Sequence, residues 1–384
     1  MTNLPKVDPS SIEFVSLDHS PTDEELFHAI FDTTYPFANM LTGSARYIAD
    51  HRGKTCVFHI PGELLDTPDI DKLMDDIALS WLLGLKIVIV VGCRYDVECC
   101  SLGCEIELST HQCQNTLRVI DDKLLRVIEE DAGYVRFEVE RRLNRSLRLH
   151  GGMSKTDEHS PLLSGNVIGG NFFTAKPFGR VEGKDYQNTG YPSEVHDDKI
   201  KAILANNDVV LLTSVGSSKF GNCVNVNGNH LAALVASTLG AHKLVYFSNK
   251  GTVLRKKGEE KTLQDIPLSF VKSFLDFHKV KVHRAGFASF MEARKTLETS
   301  AVEKLLYMGW GAWALDHGVK RAHIVNPGDG ALLEELFTAK HGANTCLYKD
   351  DEHVEEDEDF DILGSMLSDG SYAGGDEILF SEIV

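Results

Sequence analysis

The chain has 384 residues, 42% hydrophobic and 25% charged, with a formal net charge of −18. This mix suits a large α/β core and excludes collagen-like, disulfide-scaffold and wholly disordered classes. Thirteen acids against one lysine fall in residues 349–384, so that stretch carries −12 of the charge and reads as a solvated acidic tail, while a chain this acidic repels phosphate backbones and excludes nucleic acid as a partner.

Residues 1–43 read as an N-terminal arm with one helical patch, TDEELFHAIFDTT, in which Leu26, Ile30 and Phe31 share a face. The opening MTNLPKVDPSSIEF has no basic segment leading into an apolar one, so no leader peptide is expected. From residue 44 strands and helices alternate. KTCVFHI predicts a short strand. DTPDIDKLMDDIALSWLLGL predicts a helix capped by Asp66 or Thr67, with Pro68 in its first turn. KIVIVVG is a β-branched run expected of a strand buried on both faces. The longest apolar stretch, ALSWLLGLKIVIVVGC, is too short to span a bilayer, and no membrane contact is expected. DDKLLRVIEEDAGYVRFEVERRLNRSL predicts a long helix loosened near Gly133.

The second half repeats the theme. NVIGGNFFTAKPFG and YQNTGYPSEV read as a strand and hairpin, DDKIKAILANN as a helix and DVVLLTSVG as a strand. HLAALVASTLG, HKLVYFS, ETSAVEKLLYMGWGAWALDHG, RAHIV, ALLEELFTAK and NTCLY continue the alternation. The predicted fold is α/β, a three-layer αβα sandwich with a mainly parallel central sheet. The tryptophan-bearing helix is apolar on several faces and is expected in the core.

Open α/β sheets bind ligands at the carboxyl ends of their strands. Three such ends stand out: His59-Ile60-Pro61-Gly62-Glu63, Gly92-Cys93-Arg94, and the Gly216 to Asn222 loop followed by Asn225 and Asn227. A phosphate cradle needs free backbone N–H groups and usually a lysine. The third loop has both, with Lys219; the first has Pro61, which lacks an N–H, and no lysine. None matches a Walker motif.

Eight cysteines without a leader point to reduced thiols in a cytoplasmic protein. Cys93, Cys99, Cys100, Cys104 and Cys113, with His111 among them, fit zinc spacing only loosely, and no metal is expected. No Gly-x-Ser-x-Gly elbow or H-E-x-x-H motif occurs.

The blocks YIADHRGKTCVFHIPGELLD, LGLKIVIVVGCRYDVE, LRVID, GNFFTAKPFG, GKDYQNTG and GVKRAHIVNPGDGALLEELFTAKHGANT occur in order through residues 44–348. Together they resemble the amino-acid-kinase domain of N-acetylglutamate synthases, relatives of acetylglutamate kinase. The resemblance implies the amino-acid-kinase or carbamate-kinase-like fold. It also implies a kinase site that has lost its groups. The position of the phosphate-holding lysine is His59, the first glycine is Pro61, followed by Gly62, and the aspartate position falls on Asn229. Phosphoryl transfer depends on neutralising negative charge, so no kinase activity is expected. An amino-acid pocket would draw on Gly62, Glu63, Gly92, Arg94, Asn225 and Asn227.

The resemblance further implies L-arginine as effector. Glu335 would meet its guanidinium, Gly342 and Asn344 would supply backbone contacts, His323 would line the site and Tyr47 would close it. The family's Gly-x-Gly-Thr turn stands here as Gly342-Ala343-Asn344-Thr345. At family level the reaction is acetyl transfer from acetyl-CoA to L-glutamate in arginine biosynthesis. Residues 349–384 do not fit an acetyl-CoA-binding domain, so this chain is expected to be the regulatory, kinase-fold part, without a cofactor of its own. L-glutamate or N-acetyl-L-glutamate, a second copy of the chain and a separate acetyltransferase are the further partners implied. Two other readings stay open: an active acetylglutamate kinase using Lys219 or another lysine, and a non-catalytic amino-acid sensor regulating a separate acetyltransferase.

Overall fold

The computed structural model describes residues 10, 12–16, 36–94, 119–151, 165–181, 183–248, 252–256, 262–283, 288–338 and 344–351. The first half comprises β1 (Ile12–Ser16), α1 (Pro36–His51), β2 (Thr55–Ile60), a 3₁₀ turn (Gly62–Asp66), α2 (Ile70–Leu82), β3 (Lys86–Val91) and α3 (Asp122–His150). Then come β4 (Val167–Gly169), β5 (Phe173–Pro177), β6 (Arg180–Val181), β7 (Lys184–Asp185), β8 (Thr189–Val195), α4 (Asp197–Ala205), β9 (Val209–Thr213), β10 (Val215–Ser217), β11 (Cys223–Val226) and α5 (Gly228–Leu239). The last part holds β12 (Lys243–Phe247), β13 (Thr252–Lys256), β14 (Asp265–Pro267), α6 (Leu268–Phe277), β15 (Lys281–Val282), β16 (Ala288–Ser289), α7 (Met291–Thr296), α8 (Thr299–Asp316), β17 (Arg321–Val325), α9 (Ala331–Phe337) and β18 (Thr345–Tyr348).

Eight strands form the central sheet in the order β14-β18-β17-β12-β2-β3-β9-β4. Every neighbouring pair is parallel except β17 with β18. Side chains along a strand alternate between faces, and the core divides accordingly. Val57, Val88, Val90, Leu212, Leu244, Tyr246 and Ile324 pack with α4, α5, α6 and α8. Phe58, Ile60, Ile87, Ile89, Leu211, Val245 and Val325 pack with α2, α3 and α9. Tyr47 and Ile48 of α1 lie against this second face. The expected three-layer sandwich and parallel sheet are therefore present. Trp310 is 1% exposed, which places α8 in the core.

Several local expectations need correction. Helix α2 starts at Ile70 after Asp69, whose side chain caps nothing; Thr67 instead donates its hydroxyl to Leu64 O, tightening the 3₁₀ turn. Helix α3 runs unbroken through Gly133, because Val135, Val139, Leu143 and Leu147 bury a continuous stripe beneath it. DVVLLTSVG divides into β9 in the sheet and β10, which joins β5, β8 and β11 in a small closed barrel. Strand β1, in the presumed arm, pairs antiparallel with β13. Leu26, Ile30 and Phe31 lie outside the described residues, as does the tail from 352 onward; at the tail's start Asp350 accepts hydrogen bonds from the Ser269 backbone N–H and hydroxyl in the first turn of α6.

Candidate functional site

Two places draw the predicted residues together. The first is the carboxyl edge of β2, β3 and β9. The turns leaving β2 and β3 touch: a Cβ on Gly62 would lie 2.3 Å from the Cys93 carbonyl carbon and 2.4 Å from the Arg94 nitrogen, so only glycine permits this approach. The Gly92 amide donates to Ile60 O at 2.9 Å. Cys93 Sγ lies 3.3 Å from the Ser214 hydroxyl, just past β9. From the opposite layer, α5 brings its N-terminus against the same edge, since a Cβ on Gly228 would lie 3.0 Å from His59 Nε2 and 4.0 Å from Gly92 Cα.

His59 is 4% exposed. Burial pushes its pKa down to about 3, so the ring is neutral at pH 7. Its Nδ1 is buried without a hydrogen-bond partner among the described residues. Tyr246 and Tyr307 face it at 5.5 and 6.0 Å between ring centroids. Pro61, at φ −62°, contributes no N–H. Asn229 accepts the Tyr246 hydroxyl on its backbone carbonyl at 2.8 Å. The edge therefore offers a helix N-terminus and an aromatic, uncharged floor.

Other predicted residues serve structure first. Arg94 is clamped by Asp131, whose carboxylate accepts the Arg94 backbone N–H at 2.8 Å and its Nε at 2.9 Å, while the guanidinium stacks 4.0 Å over the Tyr134 ring. Asn227 caps α5 by accepting the His230 N–H at 3.0 Å. Asn225 pairs within the barrel, its N–H donating to Asn188 O at 3.0 Å. Glu63 sits half-buried in the 3₁₀ turn. The third loop, with Lys219, is the tip of the barrel's β10–β11 hairpin rather than part of the sheet's edge.

The second place lies on the sheet face covered by α1 and α9. His323 of β17 and Glu335 of α9 both have fully buried side chains, with His323 Nδ1 2.5 Å from Glu335 Oε1. Lys243, the first residue of β12, places its Nζ 3.1 Å from His323 Nε2. A lysine can only donate, so His323 accepts on Nε2 and donates from Nδ1 to the carboxylate. Lys304 of α8 donates to the Thr345 hydroxyl at 2.9 Å and feels the Glu335 charge. Burial lowers the pKa of both lysines, that of Lys304 to about 7. Asn344 accepts the Asn326 N–H at 3.0 Å, bracing the strand ends together. Tyr47 packs against the neighbouring apolar face from α1. Glu335 is thus an interior acid with named partners, not a solvated one.

Gly342 lies outside the described residues, as do Cys99, Cys100, Cys104, His111 and Cys113. Among the described residues, Cys56, Cys93, Cys223 and Cys346 form no disulfide. The sequence alone does not single out Lys243, Lys304 or Asp131. A lysine opening the apolar strand KLVYF was a usable signal, because a buried cation needs a partner; Asp131 and Lys304 look like ordinary helix residues until the fold buries them. Among the described residues no helix is long and apolar enough to cross a membrane.

Comparison with known proteins fits this geometry. The profile of the amino acid kinase family matches residues 54–276. An amino-acid acetyltransferase of Aliivibrio fischeri is 30% identical over 328 residues, covering 84% of this chain and 67% of that protein. One from Mannheimia succiniciproducens is 31% identical over 309 residues, covering 80% and 62%. The N-acetylglutamate synthase of Neisseria gonorrhoeae, solved with coenzyme A and N-acetyl-glutamate, superposes with a TM-score of 0.63 at 26% identity, covering 82% of this chain and 63% of that one. The same synthase solved with coenzyme A and L-arginine gives 0.62, 26%, 82% and 65%. The chain thus spans about two thirds of the proteins it matches. With its parallel sheet, its two helical layers and the matching profile over 54–276, the chain belongs to the amino acid kinase family.

Proposed function

We propose that this chain is the amino-acid-binding, kinase-fold part of an N-acetylglutamate-synthase-like protein of arginine biosynthesis, and that it does not transfer phosphate. The observation that carries the reading is the neutral, buried His59 beside Pro61 at the strand end where a phosphoryl group would need charge. A neutral imidazole in place of a lysine cation and a missing N–H at Pro61 take two stabilising groups from developing negative charge, and losing one such group costs about 2.7–4 kcal/mol of barrier. Family-level acetyl transfer from acetyl-CoA to L-glutamate is the proposed activity of the whole protein, and this span is its proposed sensor.

L-arginine is the proposed effector. The interior carboxylate of Glu335, joined to His323 and through it to Lys243, together with Asn344 between the ends of β17 and β18, supports recognition of a guanidinium and an amino-acid carboxylate. The relative solved with L-arginine favours the same ligand. Tyr47 on α1 would close this site, and Gly62, Glu63 and Gly92 at the carboxyl edge would hold glutamate or its N-acetyl form. The test is thermal melting of the full chain with L-arginine, L-lysine or ATP. Ligand at a hundred times its dissociation constant stabilises by about 2.7 kcal/mol. A rise with arginine alone, lost in Glu335→Gln, supports the reading; equal behaviour with all three overturns it.

A further inference from the structure

Beside the second place, the last turn of α1 and the residue before β12, which adjoins Lys243, bring three metal-ligating side chains together. Asp50, His51 and His242 each offer one ligand atom, and these atoms all lie within 4.8 Å of one another. His51 is 3% exposed. Its Nδ1 lies 2.7 Å from the Tyr47 carbonyl oxygen, so in the neutral ring Nδ1 carries the proton and Nε2 the lone pair. That Nε2 is buried and has no hydrogen-bond partner among the described residues. Metal-ligating histidines characteristically donate one ring N–H to a backbone carbonyl, which orients the ring and directs the other nitrogen at the ion.

His242 completes the picture. Its Nε2 lies 3.1 Å from Asp50 Oδ2, and its Nδ1 is also buried without a partner among the described residues. The two imidazoles meet edge to face, 5.1 Å between centroids, and do not hydrogen-bond to each other in the structure. The orphaned Nε2 of His51, beside the Nε2 face of His242, costs stability unless something accepts its lone pair. A cation within reach of the exposed Asp50 carboxylate would do so.

We propose that Asp50, His51 and His242 form a binding site for one divalent transition-metal ion, zinc above all, with a fourth position left to solvent. Two imidazoles and one carboxylate suit zinc or cobalt; magnesium and calcium prefer an all-oxygen shell. Lys243, Lys320 and Lys54 lie close enough to His242 to repel a dication, so the site binds less tightly than a carboxylate-rich one. Its ligands join the end of α1 to the start of β12, far apart in the chain. Because Tyr47 orients His51 through its carbonyl, an ion there would also stiffen the helix that carries Tyr47. The proposal stands independently of the arginine reading.

The experiment uses the untagged full chain, stripped with a chelator and titrated with cobalt(II) alone, then with zinc. The variants are Asp50→Asn, His51→Gln and His242→Gln. Asp50 is exposed, so Asp50→Asn keeps the fold, which its metal-free melting curve verifies. The expected result is one equivalent of cobalt with visible ligand-field bands, displaced by zinc, and bound about tenfold or more weakly by Asp50→Asn and the histidine variants. Equal affinity in all four proteins overturns the site. So does a spectrum dominated by near-ultraviolet thiolate charge transfer, which would assign the ion to cysteines, and so does the absence of binding.

Discussion

The neutral state of His59 has a measurable cost in acid. Its pKa falls from an ordinary 6.5 to about 3 because burial disfavours the charged ring. Below pH 6.5 the unfolded chain binds a proton that the folded chain refuses, so stability falls as pH drops from 6.5 toward 3. At pH 7.5 the penalty is negligible; at pH 5.5 it reaches about 1.4 kcal/mol. His59→Gln removes a titrating group while retaining a polar side chain of related length. Urea unfolding of wild type and variant at pH 7.5 and 5.5 gives two differences in stability. They should differ from each other by about 1.4 kcal/mol in the variant's favour at the lower pH. Parallel pH dependence would refute the reasoning, since it would mean that His59 keeps an ordinary pKa in the folded chain. His51, His230 and His242, each held near 4 chiefly by burial, titrate equally in both proteins and cancel in the comparison.

Lys304 acts with the same sign in an alkaline window. Its folded pKa near 7 against an ordinary 10.5 means the folded chain gives up a proton that the unfolded chain keeps, so stability rises with pH between 7 and 10.5. Relative to Lys304→Met, the wild type should gain about 2 kcal/mol between pH 7 and 9 in urea melts; identical slopes would contradict this. Gly62→Ala forces a Cβ to 2.3 Å from the Cys93 carbonyl carbon and should destabilise by about 1–3 kcal/mol, read from the same melts. His323→Leu leaves Lys243 and Glu335 without the ring that joins them and should destabilise by about 3–5 kcal/mol; a loss under 1 kcal/mol would show that the three do not act as a unit.

Much of the fold is legible because its central strands are short, mainly apolar runs, with KIVIVV almost wholly β-branched. KIVIVV and VVLL read as strands covered on both faces, as in a parallel sheet. Helix-forming stripes such as that of α3 are equally plain, although Gly133 misled, because tertiary burial on one face outweighs a single weak helix residue. The barrel was harder. β5, β10 and β11 have only five, three and four residues, and Ser214 turns the chain out of β9 without a glycine or proline to announce it. Strand β1 hid because its partner β13 lies over two hundred residues away in the chain.

The sites divide in the same way. His59, Pro61 and Gly62 fall within four consecutive residues, and the resemblance alone suggests their role; the structure adds that Gly92 and Gly228 close around them. Glu335 and His323 were readable by resemblance, but Lys243 was not, because its meaning depends on which strand lies beside β17. Asp131 likewise acquires its role only when α3 passes the Arg94 turn. Long-range pairings of this kind leave no local periodicity for a single sequence to display.

The most direct measurement of the central claim is ADP formation by the full chain supplied with magnesium, ATP and N-acetyl-L-glutamate. Turnover indistinguishable from the protein-free control is the predicted result. Steady ADP release that depends on the acylated amino acid, and that falls when His59 is replaced by glutamine, would contradict it.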